Sequence, residues 1–473
     1  MIKIALPAGD LRTPTADVFI SCGLVVEGYG EGSRAYRLNV RDRDDLAVRV
    51  FRERDIPIQI ALGNYDLGVC SLSWVKEMQA LFPEQPIVPV CDLGIGSFGI
   101  FAGMPASTGG RLADLGALPA VRIASDYPNL AESFAMAARL PRYRVQSVWG
   151  AAEAYPPEDA DVAVIAAASD SAVRAHGLEP ISCLLESSAW LIANAESLRK
   201  KEMGVVLRAI MSAARPGVSS DVRLPSPVRS NGKRMAAAAP ERATARMAIP
   251  DGHQQRHVVG ALTDAGLAFD GYDASTCVRR PASGIEGLDV KVVRPHDMPQ
   301  LVALGQFDMA ITGRDCLLEH LHRFPSSPVE ELVDLRRGQY DLSAVVTEDL
   351  PADTIEDALA YWRKQGKTSI RVASEFMGTA DYYARSRHLW RYQVMPIAGA
   401  SEGFVPEDAE LLIEGTETGK TLRENRLKPI DLLYRSTTCV IGRKSPSLDG
   451  QRRAVFDHVL AALHGAGEAA GAV

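Results

Sequence analysis

The sequence predicts an α/β protein made of two tandem copies of one two-lobed unit, and three observations predict it. The first is internal repetition. IALPAGDL (4–11) stands over MAIPDGHQ (247–254), so that Pro7 faces Pro250. RDIPIQIALGNYDLGV stands over HDMPQLVALGQFDMAI, which sets Asp55 against Asp297, Gly63 against Gly305 and Asp66 against Asp308. Arg122 in VRIASDY faces Arg371 in IRVASEF, and Glu153 faces Glu402. The register is near-constant, and one short insertion between Asp334 and Arg371 accounts for its main step. Such co-linearity is the mark of a duplicated unit. The second observation is that short β-rich runs alternate with helical patterns, which implies a mainly parallel sheet covered on both faces. The third is a stretch of different character, SAARPGVSSDVRLPSPVRSNGKRMAAAAPERAT (212–244), rich in Pro, Ser, Arg and Gly and without apolar period. It reads as a flexible linker or draping segment between copies at 1–211 and 245–473.

Taken in order, IKIALP reads as an entering strand and LAVRVFRERD (46–55) as a helix. DLGVCSL, PIVPV and DVAVIAA read as strands, and LAESFAMAARL as a helix with apolar residues three and four apart. GIGSFG (94–99) matches GxGxxG but runs into the apolar IFAGMP, so a tight turn between strands is the better reading. In the second copy LLIEG is a strand and KTLREN opens a helix. The tail SPSLDGQRRAVFDHVLAALHGAGEAAGAV has room for one helix, with GEAAGAV expected to fray.

Composition excludes several classes. Hydrophobic content of 47% and charged content of 23% over 473 residues suit a globular protein with large buried cores. No run approaches the roughly 18 apolar residues of a spanning helix, and the N-terminus lacks the pattern of a signal peptide. A net charge of −7 leaves no electrostatic footprint for nucleic acid. Cys22, Cys70, Cys91, Cys183, Cys277, Cys316 and Cys439 lie far apart, which argues against a zinc ribbon and for free thiols in a reducing cytosol. Glu319, His320 and His322 lack a third well-placed metal ligand and read as a solvated helix end.

The strongest chemical signal is ELLIEGTETGKTLREN (410–425). The strand–loop–helix reading places Thr418, Gly419, Lys420 and Thr421 at a helix start, where unpaired N–H groups and the macrodipole suit a phosphate. Glu414 and Glu417 stand where carboxylates could accept from sugar hydroxyls. A nucleoside-triphosphate loop is ruled out, because GTETGKT has too few residues between its glycines. A strand–loop–helix turn with threonine capping is the competing reading.

Together these segments resemble the catalytic region of ATP phosphoribosyltransferase, once per copy. IALPAGDL, RDIPIQIALGNYDLGV, CDLGIG, RIASDYPNL and LLESSAWLIAN carry the likeness in the first copy. HDMPQLVALGQFDMAITGRD, RVASEF, EGTETGKTLRENRL and STTCVIG carry it in the second. The resemblance implies a two-lobed, periplasmic-binding-protein-like α/β unit. It also implies transfer of the phosphoribosyl group of phosphoribosyl pyrophosphate to N1 of ATP, the first step of histidine biosynthesis. Glu414, Glu417, Thr418, Gly419, Lys420 and Thr421, with Thr312, Gly313, Arg314 and Asp315, would bind substrate. Mg²⁺ would be carried mainly by substrate phosphates. The first copy departs from this pattern: Ile165 stands at the sugar-binding carboxylate, Ser169-Asp170 replaces Thr-Gly, and TGRD becomes CSLS (70–73). The family's KGR is Ala8-Gly9-Asp10 in one copy and Asp251-Gly252-His253 in the other. Family enzymes are dimers with arginines crossing between subunits, so the fused copies would form a pseudo-dimer within one chain. Arg294 and Arg279 would stabilise the leaving pyrophosphate, with Arg52 or Arg37 supplied by the first copy. The enzyme is expected in the cytoplasm, with no nucleic-acid or membrane partner and room for higher homo-oligomers. Two other readings stay open: a related transferase with another acceptor, and a non-catalytic ligand-binding or regulatory homologue.

Overall fold

The computed structural model describes residues 1–30, 33, 35–108, 111–214, 221–228, 243–417, 419–446, 448 and 450–470. Each copy begins with an apolar strand, Ile2–Pro7 or Ala245–Pro250, flanked on both sides in the sheet of its first lobe. In the first copy the sheet order is Arg37–Asn39, Leu46–Phe51, Ile2–Pro7, Leu67–Ser71, Ala189–Asn194, Ile87–Asp92. The second copy repeats five of these places with Leu288–Val293, Ala245–Pro250, Met309–Gly313, Thr438–Arg443 and Val329–Asp334. The second lobes match likewise. Leu178–Ser187, Phe98–Pro105, Val162–Ala167, Val121–Ser125 and Tyr143–Ser147 answer to Leu427–Ser436, Tyr340–Thr347, Leu411–Thr416, Ile370–Ser374 and Tyr392–Pro396. The chain crosses between lobes twice per copy, so a cleft opens between them. This is the expected architecture, two tandem two-lobed α/β units.

The segment LAVRVFRERD is not a helix. Leu46–Phe51 is a strand paired in parallel with Ile2–Pro7. Leu46, Val48 and Val50 are buried while Ala47 and Arg49 between them are partly exposed, a period of two that the coincidental spacing of Leu46 and Val50 had masked. The C-terminal segment also departs from expectation. The helix Gly450–Ala470 includes residues 467–470, and Gly467 backs closely onto the carbonyl of Asp334. Val455, Phe456, Val459 and Leu463 bury against the first lobe of the second copy; residues 471–473 lie outside the described residues. Of the 212–244 segment, Arg223 and Val228 donate backbone hydrogen bonds to Leu184 and Ala138 of the first copy. The remaining sequence-stretch positions 215–220 and 229–242 lie outside the described residues. All seven cysteines are free, and among the described residues no helix is long and apolar enough to cross a membrane.

The copies pack antiparallel about an approximate two-fold axis, first lobe of one on second lobe of the other. Trp149 N donates to Asp297 at 3.1 Å, and Ala398 N donates to Asp55 at 2.9 Å, an equivalent pair at the opposite end. Burial pushes both carboxyls up to about 7. At one end Phe51 meets Phe404 with centroids 4.8 Å apart, Tyr65 donates to Asp408 at 2.6 Å, and Arg49 pairs with the partly exposed Glu407 at 2.9 Å. At the other end the paired ions are buried. Asp159 of the first copy accepts from both Arg246 and Lys291 of the second at 2.9 Å, with all three buried. Asp159→Ala leaves two buried cations without their shared anion and should cost about 3–5 kcal/mol. Asp408→Ala at the opposite end strands one phenol and should cost about 1–3 kcal/mol. Urea unfolding of the two variants side by side checks the ranking.

Candidate active site

The second copy holds a cleft of about 660 Å³ between its lobes. Its first lobe contributes Asp251, His253, Arg294, Gly313 and Asp315; its second contributes Tyr340, Glu375, Glu414 and Glu417. Arg52 and Trp149 enter from the first copy. Trp149 stacks on His296 at 4.7 Å, and His296 on Phe376 at 5.7 Å. These rings wall the cleft from a second cavity of about 620 Å³ between the copies. Arg294 Nε, His296 Nε2 and Gln254 Oε1 are buried beside the cleft with no hydrogen-bond partner among the described residues. Orphaned buried donors and acceptors are rare in folded proteins, and around a cleft they fit a polar ligand.

The strand–loop–helix segment expected to hold a phosphate occupies one end. Leu411–Thr416 is the strand, Lys420–Glu424 the short helix, and a recess of about 160 Å³ lies over Glu414, Gly415, Glu417, Gly419, Lys420 and Thr421. Gly419 sits at φ +66 and caps the helix without a side chain, which keeps the approach to the first-turn N–H groups clear. Thr418 lies outside the described residues. In the first copy the corresponding helix, Asp170–Ala175, is closed by Ser169, whose hydroxyl accepts from Ala172 N at 3.3 Å. Its other loop is closed too: Glu53, partly buried, accepts from Ser71 N at 3.0 Å and from the Ser71 hydroxyl. A carboxylate thus occupies the N–H and hydroxyl of Ser71 in the first copy.

Acid groups crowd the floor of the second cleft. Burial, followed by the negative charges of Glu402 and Glu375, pushes Glu414 up to about 8, and burial raises Glu375. Ser401 donates to Glu414. An acid whose folded pKa is raised stabilises the fold fully below its unfolded value, near 4.5, and loses that contribution as pH rises through about 8. Glu414→Gln should therefore melt above the wild type at pH 8.5, with the gap closing toward pH 5. Melting curves across that range test it.

The other anticipated residues divide. Arg52 is seated against Gly399, where a Cβ would lie 2.9 Å from its Nε; glycine at φ +115 makes that approach possible. Arg294 has the mirror seat at Gly150 and also pairs with Asp251 at 3.0 Å. Arg279 pairs with Asp251 at 2.7 Å and with Glu153 of the first copy at 3.2 Å, away from the cleft lining. Arg37 instead pairs with Glu407 in the interface at 3.5 Å. Arg314 is held by Glu331 and Asp334, and Thr312 is buried with its hydroxyl on Pro295 O at 3.0 Å. Asp315 faces the cleft and accepts from the Ser436 hydroxyl at 2.7 Å. Glu319, His320 and His322 are not a solvated end. Glu319 caps the helix Met377–Ser386, His320 bonds Ser327 at 2.7 Å, and His322 stacks on Tyr382. Sequence reasoning gave no role to Trp149, His296, Glu375 or Glu402, although His296 lies in HDMPQLVALGQFDMAI, Glu375 in IRVASEF, and Glu402 opposite Glu153 in the repeat.

The family model described as HisG, ATP phosphoribosyltransferase, matches this chain twice, at residues 52–213 and 294–465. An ATP phosphoribosyltransferase of Methanococcus maripaludis is 28% identical over 220 residues, covering 46% of this chain and 71% of the relative. One from Chlorobium phaeovibrioides is 28% identical over 233 residues, covering 48% and 73%. Among solved structures, an ATP phosphoribosyl transferase (HisG:HisZ) complex from Thermotoga maritima aligns with 21% identity and a TM-score of 0.38, over 48% of this chain and 100% of that one.

Proposed function

From the premise that the chain belongs to the ATP phosphoribosyltransferase family in both halves, and so is a pentosyltransferase, we propose one working site per chain, in the second cleft. There it transfers the phosphoribosyl group of phosphoribosyl pyrophosphate to N1 of ATP and releases pyrophosphate, opening histidine biosynthesis. The observation that carries this reading is the contrast between the copies. Glu53 and Ser169 close the two loops of the first, whereas Gly419 brings no side-chain cap to the second.

In this reading the 5′-phosphate of the donor rests on the loop from Gly415 to Thr421, with Lys420 adding charge. Glu414, protonated below about pH 8, can both donate to and accept from the ribose hydroxyls. Displacement at the ribose passes through an oxocarbenium-like state, whose positive charge faces the carboxyl groups of Glu375 and Glu402. Arg52 and Arg294 receive the charge that develops on pyrophosphate. A neutral ring nitrogen needs little help from a base, so holding both substrates in line supplies most of the acceleration. The acidic cleft accepts pyrophosphate best as its magnesium complex, which carries less negative charge.

Isothermal titration with phosphoribosyl pyrophosphate and Mg²⁺ tests the site. One equivalent per chain is expected, followed by ATP-dependent pyrophosphate release. Two equivalents would restore the first copy as a site, and none would leave a non-catalytic homologue.

A further inference from the structure

His253 and His257 lie four residues apart, in the turn Gly252–Gln254 and the helix Gln255–Asp264 of the first lobe. Glu417 reaches toward them from the phosphate loop of the second lobe. One ligand atom from each of the three lies within 4.8 Å of the other two. The cluster is already organised around a cation. Arg256 Nη2 lies 3.0 Å from His253 Nε2 and 3.5 Å from Glu417, and Arg256 Nε donates to His257 Nε2 at 3.1 Å. A guanidinium has only donors, so each imidazole meets it with the lone pair of Nε2. Arg256 is more than half exposed and free to swing outward.

We propose that His253, His257 and Glu417 form a divalent transition-metal site that ties the two lobes of the second copy together at the mouth of the cleft. Two imidazoles and a carboxylate with open positions suit Zn²⁺ and its neighbours; Mg²⁺, which prefers oxygen ligands, does not compete. The ion takes the place of the Arg256 guanidinium. It crosslinks the helix start bearing the histidines to the loop bearing Glu417, and so couples cleft closure to metal occupancy. It also adds positive charge where Asp251, Asp315, Glu375 and Glu414 make the lining acidic. The inference is independent of which reaction the cleft performs.

The test is titration of the metal-stripped full chain with Zn²⁺ in calorimetry, with Co²⁺ absorption as a second readout. The wild type should bind one equivalent that millimolar Mg²⁺ does not displace. His257→Ala and His253→Ala should each weaken it beyond the about 10–100-fold typical of outer-shell changes, while melting like the wild type without metal. Arg256→Ala removes the competing guanidinium and should bind tighter than the wild type, a gain that misfolding cannot imitate. Zn²⁺ should also raise the melting temperature of the wild type and not that of His257→Ala. Absence of binding, or unchanged binding in His257→Ala, overturns the proposal.

Discussion

Gly419→Asp should abolish binding of phosphoribosyl pyrophosphate while leaving the fold in place. The substitution copies into the second loop the aspartate that follows Ser169 in the first. Two effects add. Gly419 sits at φ +66, which costs a side-chain-bearing residue about 1 kcal/mol, and a Cβ there lies 3.1 Å from Arg423 Nη1. The larger effect is a carboxylate facing the phosphate at short range, in a recess already lined by Glu402, Glu414 and Glu417. A loss of at least about 100-fold in affinity, near 3 kcal/mol, is the expected scale. Calorimetry measures it, and a melting curve within a few degrees of the wild type shows that the loop and not the fold was lost. Near-normal affinity in the variant would remove this loop from the donor site.

Arg52→Ala should lower turnover by about 100–1,000-fold, the scale for removing one preorganised charge-stabilising group, with a much smaller change in donor affinity. The residue belongs to the first copy, yet its guanidinium lies against Gly399 and near Glu375 of the second. Arg37→Ala is the matched control, since Arg37 pairs with Glu407 outside the cleft and its loss should leave turnover near that of the wild type. Steady-state kinetics on both variants decide between a crossing arginine and a structural one. Equal, small effects would mean that the second copy works without the first.

Much of this arrangement was legible in the sequence because it is local or repeated. Apolar runs bounded by turns fixed most strands, and the glycine-containing loop at 415–421 is a continuous segment whose chemistry can be read in place. Failures came where the deciding partner lies far along the chain. Leu46–Phe51 took the strand period only because Ile2–Pro7 lies beside it. Arg314 belongs to a motif that suggests substrate contact, but Glu331 and Asp334 across the sheet hold it. The same distance problem hid the meeting of His253 and His257 with Glu417. Their HxxxH spacing was visible, but the third ligand arrives from the other lobe. Arg52 and Arg37 were equivalent in sequence; only the seat at Gly399 separates them.

That seat has a consequence for how such a chain can change. In a symmetric pair of identical subunits, one codon sets both the arginine that is given and the arginine that is kept. Here Arg52 and Arg294 are separate codons, as are Gly399 and Gly150. Selection can therefore alter what crosses into the working cleft without altering that cleft's own arginine. On the proposed one-site reading, the first half is then more than ballast: it is an independently adjustable wall of its neighbour's cleft.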